Sequence, residues 1–186
     1  MDIDDEATTT AEARRLLLEH FRWTQGHGDV WRVFSDAAAW SATVSGLVGP
    51  WRDKRVTHVA GVESRGFLLG GAAAIALGVG FVAIRKADGL FPGAKVTAEA
   101  STDYRGLRHQ LRMQRTLGAD DRVLIVDDWA EVGSQAQAAR QLIESVGATF
   151  AGLSLMVDQM SDDTRGRLAP VTSLVRADEL GDPDAR

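Results

Sequence analysis

The chain has 186 residues, 45% hydrophobic and 25% charged, which suits one soluble globular domain with a proper core. Its net charge of −5 argues against broad nucleic-acid binding, and its lack of cysteine excludes a disulfide framework and thiolate chemistry. The acidic start MDIDDEATTT is unlike a secretory leader, and no apolar run is long enough to span a membrane, so a cytoplasmic protein is expected.

Residues 1–10 read as a loose, polar terminus. Thr10 is placed to cap a helix from Ala11 to about Arg22. Trp23 to Asp29 holds two glycines and reads as a loop. Val30 to Phe34 reads as a short extended segment. Ser35 is placed to cap a second helix, which Gly49-Pro50 stops. Val56 to Val62 is a buried strand, and Glu63-Ser64-Arg65-Gly66 a sharp turn into a helix from Phe67 to Leu77. Gly78 ends that helix, and Gly80 to Arg85 is the next strand.

Ala87 to Gly93 connects, and Lys95 to Thr116 reads as two polar extended arms joined near Tyr104 to Gly106. Then comes the most informative stretch, Arg122 to Ala139. Val123-Leu124-Ile125-Val126-Asp127 is an unbroken, largely β-branched run, as a strand buried on both faces requires. It ends in the carboxylate pair Asp127 and Asp128. A loop with Gly133 leads into a helix from Ser134 to Val146. Phe150 to Val157 is another buried strand, Asp162 to Leu168 a short helix, and Val171 to Val175 a last strand. Strands alternating with helices predict an α/β fold with a mostly parallel sheet.

Strand, acidic pair, glycine loop, helix is an order with a physical use. Amides of the loop and first helical turn lack internal partners, and the helix dipole adds positive charge, so the turn suits a phosphate. The carboxylates at the strand's end suit ribose hydroxyls, or a magnesium ion and its waters. The same order also occurs as an ordinary turn between a strand and a helix.

This run resembles the phosphoribosyl pyrophosphate loop of type I phosphoribosyltransferases, and within them the adenine phosphoribosyltransferases. Val59 to Leu68 resembles that family's pyrophosphate turn, and Ile84-Arg85-Lys86 its next strand end. The match runs from about Gly28 to Pro170. One departure stands out: the family's Ala-Thr-Gly-Gly-Thr is here Glu131-Val132-Gly133-Ser134-Gln135. Two threonine hydroxyls are gone. Ser134 and the Gln135 amide are candidate replacements.

The resemblance implies one domain over residues 1–186, joining a purine-like base to phosphoribosyl pyrophosphate with magnesium, in a homodimer. It implies that Glu63, Ser64, Arg65 and Lys86 hold pyrophosphate, that Asp127 and Asp128 hold ribose, and that the loop from Glu131 through Val132, Gly133, Ser134 and Gln135 holds the 5′-phosphate. Val30 and Arg32 match base-reading positions, and Trp31 and Trp129 match side chains that sandwich the ring, with Ala130 beside them. Residues 94–116 match a mobile hood, with Asp103 and Tyr104 helping to close it. Glu131 is a candidate proton acceptor near the base's N7, and Arg65 a catalytic cation. Trp23, Trp40 and Trp51 are expected to fill the core. His20, His27, His58 and His109 lack metal-ligand spacing, so no protein-held metal is expected. The competing readings are a non-catalytic nucleotide or phosphoribosyl pyrophosphate sensor and, below it, a nucleotide-cleaving hydrolase.

Overall fold

The structure, a computed structural model, describes residues 3–86, 90–100 and 110–181, with side chains from Thr9 onward. The first helix, α1 (Ile3–His20), begins eight residues before the expected Ala11. The sequence opens it with Asp4, Asp5 and Glu6, an acidic composition that suits the positive end of the helix dipole. A short hairpin follows, β1 (Arg22–Thr24) and β2 (His27–Asp29), where a loop was expected. Its turn residues Gln25 and Gly26 both have positive φ, 53° and 74°, the backbone a two-residue hairpin turn needs.

The segment expected to be extended is instead a helical turn, α2 (Trp31–Ser35), with Val30 at its N-cap and Asp29 Oδ1 just before it accepting from Trp31 N at 2.9 Å. Asp36, not Ser35, caps α3 (Ala37–Val48), its Oδ1 accepting from Ala39 N at 2.8 Å. A 3-10 turn, Gly49–Trp51, closes this first layer.

The remaining elements build one seven-stranded sheet. They are β3 (His58–Val62), α4 (Arg65–Leu77), β4 (Gly80–Lys86), β5 (Lys95–Glu99), β6 (Gln110–Gln114), β7 (Arg122–Ala130), α5 (Ser134–Ser145), β8 (Thr149–Asp158), α6 (Asp162–Arg167), β9 (Val171–Arg176) and a 3-10 turn at Ala177–Leu180. Strand order is β5-β6-β4-β3-β7-β8-β9. Strands β4, β3, β7, β8 and β9 run parallel, while β6 pairs antiparallel with β4 and β5. The arms β5 and β6 are those expected from residues 95–116. The connection between them, with Asp103 and Tyr104, lies outside the described residues.

Both faces of β7 are apolar, as its sequence predicts. Leu124 and Val126 join one cluster with Leu17, Leu47, Leu69 and Met156. Val123 and Ile125 join the other with Ile84, Leu142, Ile143 and Leu153. Period-two alternation thus feeds two cores, and each fully buried side chain of this size contributes about 1.5–3 kcal/mol. Trp51 is buried as expected, seated on Gly152, where a Cβ would lie 2.0 Å from the indole.

Helix α4 packs on the first cluster and α5 on the second, so the helices after β3 and β7 leave on opposite faces. These two strands are neighbours in the sheet. Their carboxyl ends therefore flank a crevice at the point where the winding reverses, the usual ligand position in open α/β sheets.

Candidate functional site

A cleft of about 530 Å³ opens at this crevice. Two turns form its floor. The first is Glu63-Ser64-Arg65, between β3 and α4, with a cis Glu63–Ser64 peptide. The second runs from Asp127 to Ala136, the end of β7 and the start of α5. Lys86, at the end of β4, joins the first turn.

The first turn is braced from β4. Arg85 forks onto Glu63, at 3.2 and 2.9 Å, and Lys86 N donates to Glu63 Oε2 at 3.1 Å. These bonds, led by the Arg85 guanidinium, hold the Glu63 carboxyl below its ordinary range. Glu63 is thus a strut, and Ser64, Arg65 and Lys86 are the groups it positions.

The turn also needs its glycines. A Cβ on Gly61 would lie 2.0 Å from the Gly66 carbonyl oxygen, and one on Gly66 would lie 2.8 Å from Asp127 Oδ1. Strand β3, the start of α4 and the end of β7 touch here through backbone and carboxylate.

The carboxylate pair is crowded. Asp128 is only 6% exposed. Asp127 Oδ1 accepts from Asp128 N at 3.0 Å. Arg65 lies 2.9 Å from Asp128 Oδ2, an ion pair close in distance but not aligned as a hydrogen bond. Burial pushes both carboxyls above the usual carboxylate range. For Asp127 the neighbouring Asp128 charge pushes further the same way; for Asp128 the Arg65 guanidinium pulls partly back.

The second turn is built to receive an anion. Gly133 sits before α5 with φ of 72°, and no side chain caps that helix. Ser134 is buried and Gln135 lies beside it on the cleft wall. First-turn amides and the positive end of the helix dipole converge there, with Ser134 on the cleft wall. Val132 is 45% exposed, so the position that carries a hydroxyl in the family's loop is here apolar. Glu131 and Ala130 also line the cleft.

The far end departs from the sequence expectation. Trp129 does line the cleft, but Trp31 does not. Trp31 is 53% exposed and packs edge-on against Phe34. Val30 is fully buried, and Arg32 faces a separate depression beside Asp36, 3.7 Å from Asp29. The reason is the helical turn of α2: its spacing sends Val33 inward and Trp31 outward. The two indoles therefore do not form opposite walls of a slot.

Trp129 is covered by protein rather than waiting for a ring. It packs against Phe21 and Trp23, with ring centroids 6.2 and 6.0 Å away. Its indole lies so close to Gly28 that a Cβ there would be 2.7 Å from it. Trp23, expected in the core, packs partly buried against the first cluster and also lines the cleft, as do Gly26, His27 and Gly28 of the hairpin tip, and Gln159. His27 is therefore not incidental to the site. These residues carried no clear signal in the sequence: Gln25-Gly26 is a less typical hairpin turn than Asn-Gly, and Gln159 stands outside any motif.

Among the described residues no three metal-ligating side chains cluster. The crowded pair Asp127 and Asp128 fits a magnesium that arrives with a ligand's phosphates and waters better than one held in a protein cage.

The family model of the phosphoribosyl transferase domain matches residues 37–174. The adenine phosphoribosyltransferase of Streptomyces galbus is 36% identical over 143 residues, 77% of this chain and 78% of the relative. That of Streptomyces clavuligerus is 32% identical over 175 residues, 90% of this chain and 97% of the relative. Among solved structures, the adenine phosphoribosyltransferase of Rhodothermus marinus superposes with a TM-score of 0.79 at 27% identity, covering 89% of this chain and 99% of that one. The Saccharomyces cerevisiae enzyme, complexed with adenine and an imino-altritol bisphosphate, gives 0.76 at 28% identity over 88% and 99%.

Proposed function

The chain belongs to the phosphoribosyl transferase domain family, as a type I phosphoribosyltransferase most similar to the adenine enzymes, and from that premise we propose how its cleft divides the work. The reaction joins a purine base to phosphoribosyl pyrophosphate and serves purine salvage. A bond forms between a base nitrogen and C1′, the bond from C1′ to the pyrophosphate oxygen breaks, and the base loses a proton. The products are a nucleoside 5′-monophosphate and pyrophosphate. The observation that carries the assignment of residues is the meeting of two turns at one switch point: Glu63-Ser64-Arg65 beside Asp127 to Ala136.

The 5′-phosphate sits on the amides that open α5, with Ser134 and Gln135 as side-chain donors. Asp127 and Asp128 accept hydrogen bonds from the ribose hydroxyls. Arg65 and Lys86 face the leaving pyrophosphate, Arg65 by turning from Asp128, and they stabilise charge as it develops there. Magnesium, when bound with the donor, neutralises part of the pyrophosphate charge. The base lies toward Trp129, Trp23 and the hairpin tip. Asp103 and Tyr104, outside the described residues, remain the candidates for closing over the donor.

Glu131 is the proposed acceptor of the base proton. Glu131→Gln is expected to lower kcat and flatten its acid limb; an unaltered pH profile removes the role. We also propose a cytoplasmic homodimer that binds neither nucleic acid nor membrane. The net charge of −5 supports the first exclusion. No helix among the described residues is long and apolar enough to cross a membrane. For the dimer, α4 and β4 leave Leu68, Ile75 and Phe81 exposed at 48%, 84% and 38%. Sedimentation velocity checks it: Ile75→Asp is expected to shift the mass from dimer to monomer, and a monomeric parent overturns it.

The test of the reaction is incubation with magnesium, phosphoribosyl pyrophosphate and a panel of purines, following nucleotide and pyrophosphate by chromatography. Both products together are expected. Binding without turnover would mark a sensor, and release of free base from nucleotide without pyrophosphate a hydrolase.

A further inference from the structure

Gln159 stands on the rim of the cleft just beyond β8, and the end of β7 holds it at two points. Its backbone N donates to Ala130 O at 2.9 Å. Its side-chain Oε1 lies 2.8 Å from the indole Nε1 of Trp129. An indole N–H can only donate, so the atom it meets must be the amide oxygen. The amide nitrogen, with two N–H donors, then faces away from the indole. Gln159 is exposed and lines the cleft at the end occupied by Trp129, Trp23 and the hairpin tip.

A free glutamine amide reads donors and acceptors alike, because oxygen and nitrogen exchange places by a half-turn. Here a half-turn would set an N–H against the indole N–H and leave both without an acceptor. Trp129 therefore removes the choice. The indole is itself held by Phe21, Trp23 and Gly28, so it cannot follow the amide round.

We propose that Gln159 is a specificity-determining residue, oriented by Trp129 as a hydrogen-bond donor, that selects purines presenting a ring nitrogen or carbonyl oxygen to it over purines presenting an amino group. This deepens the reading of the cleft as a phosphoribosyltransferase site and rests on it. Trp129 acts as the positioning residue. A neutral hydrogen bond of this kind makes roughly a two- to tenfold difference in binding.

The test compares the parent with Gln159→Leu, Gln159→Glu and Trp129→Phe. Each is assayed for kcat/KM with 6-oxo, 6-amino and single-nitrogen deaza purines at saturating phosphoribosyl pyrophosphate and magnesium. Purine binding is followed in parallel by tryptophan fluorescence, which Trp23 still reports in Trp129→Phe. Gln159→Leu is expected to lose roughly two- to tenfold on the preferred purine and to stop distinguishing it from the deaza analogue that lacks the acceptor. Gln159→Glu, which can only accept when ionised, is expected to disfavour that purine further. Trp129→Phe keeps a ring but not the N–H, and is expected to widen the accepted range of purines. Parental selectivity in either Gln159→Leu or Trp129→Phe overturns the proposal. If the parent converts no purine, the transferase reading fails, yet fluorescence-detected purine selectivity that depends on Gln159 still upholds this one. If it binds no purine at all, this one falls too.

Discussion

Asp127→Asn and, separately, Asp128→Asn are expected to cut turnover by roughly a hundredfold or more while the protein stays folded. Hydrogen bonds to a charged acceptor are worth about 1.5–3 kcal/mol each, so losing the charge that meets two ribose hydroxyls reaches that scale. Stability should move the other way. Burial raises both carboxyls in the folded chain above their unfolded value. Between those two values the folded state holds more protons than the unfolded one. Stability therefore falls as pH rises through that window, and above the unfolded value the pair is a cost to the folded state. Asp127→Asn, by replacing one of the two titrating groups with a neutral amide, lifts part of that cost, so the melting temperature of the ligand-free variant should rise or hold at pH 7.

The same shifts set a pH dependence for catalysis. On the proposed role the ionised pair is the stronger acceptor for the ribose, so kcat/KM for the donor should fall as pH drops, and should begin to fall above the ordinary carboxylate range. Calorimetry and steady-state rates on the two variants check both parts. Near-parental turnover in both, with unchanged melting temperature, would end the assignment. On the proposed division of the cleft, a bound donor meets the crowded pair, so donor binding should stabilise the parent more than either variant.

Gly61→Ala is expected to destabilise the fold by about 3 kcal/mol or more, because the added Cβ meets backbone and not a movable side chain. It would lie 2.0 Å from the Gly66 carbonyl oxygen and 2.6 Å from its carbon. Relief requires β3 and the start of α4 to separate, which moves Ser64 and Arg65. Donor binding should therefore weaken even in molecules that remain folded. Gly71→Ala is the control. It lies in α4 itself with nothing within 4 Å of its Cβ, and should be neutral or stabilising by about 0.5–1 kcal/mol. Urea unfolding of the two variants, with the parent, separates a steric clash from a general intolerance of this region to substitution. Equal midpoints for Gly61→Ala and Gly71→Ala would show that the strand and helix are not in the contact described.

What the sequence determined by itself is the part of the molecule in which local pattern and final structure agree. The unbroken apolar run 123–126 had to be buried on both faces, and it is. The acidic pair was expected to end the strand; β7 instead runs on through Trp129 to Ala130, paired with β8, so the pair lies within its last four residues, still ahead of the Gly133 turn. The turn at residues 63–66 and Lys86 were legible through the family resemblance, which rests on short contiguous runs, and the structure brings both to the cleft. Tertiary structure decided the base end. Residues 31–35 are helical rather than extended, with Asp29 accepting from Trp31 N, and that turn sent Trp31 to solvent and Val30 into the core. Trp129 met the hairpin because Gly28, far earlier in the chain, has no Cβ to stand in the indole's way. Gln159 became a cleft residue only when β7 and β8 paired and brought Ala130 and Trp129 beside it. No local pattern encodes such meetings, since they depend on which distant surfaces the sheet brings within a bond's length.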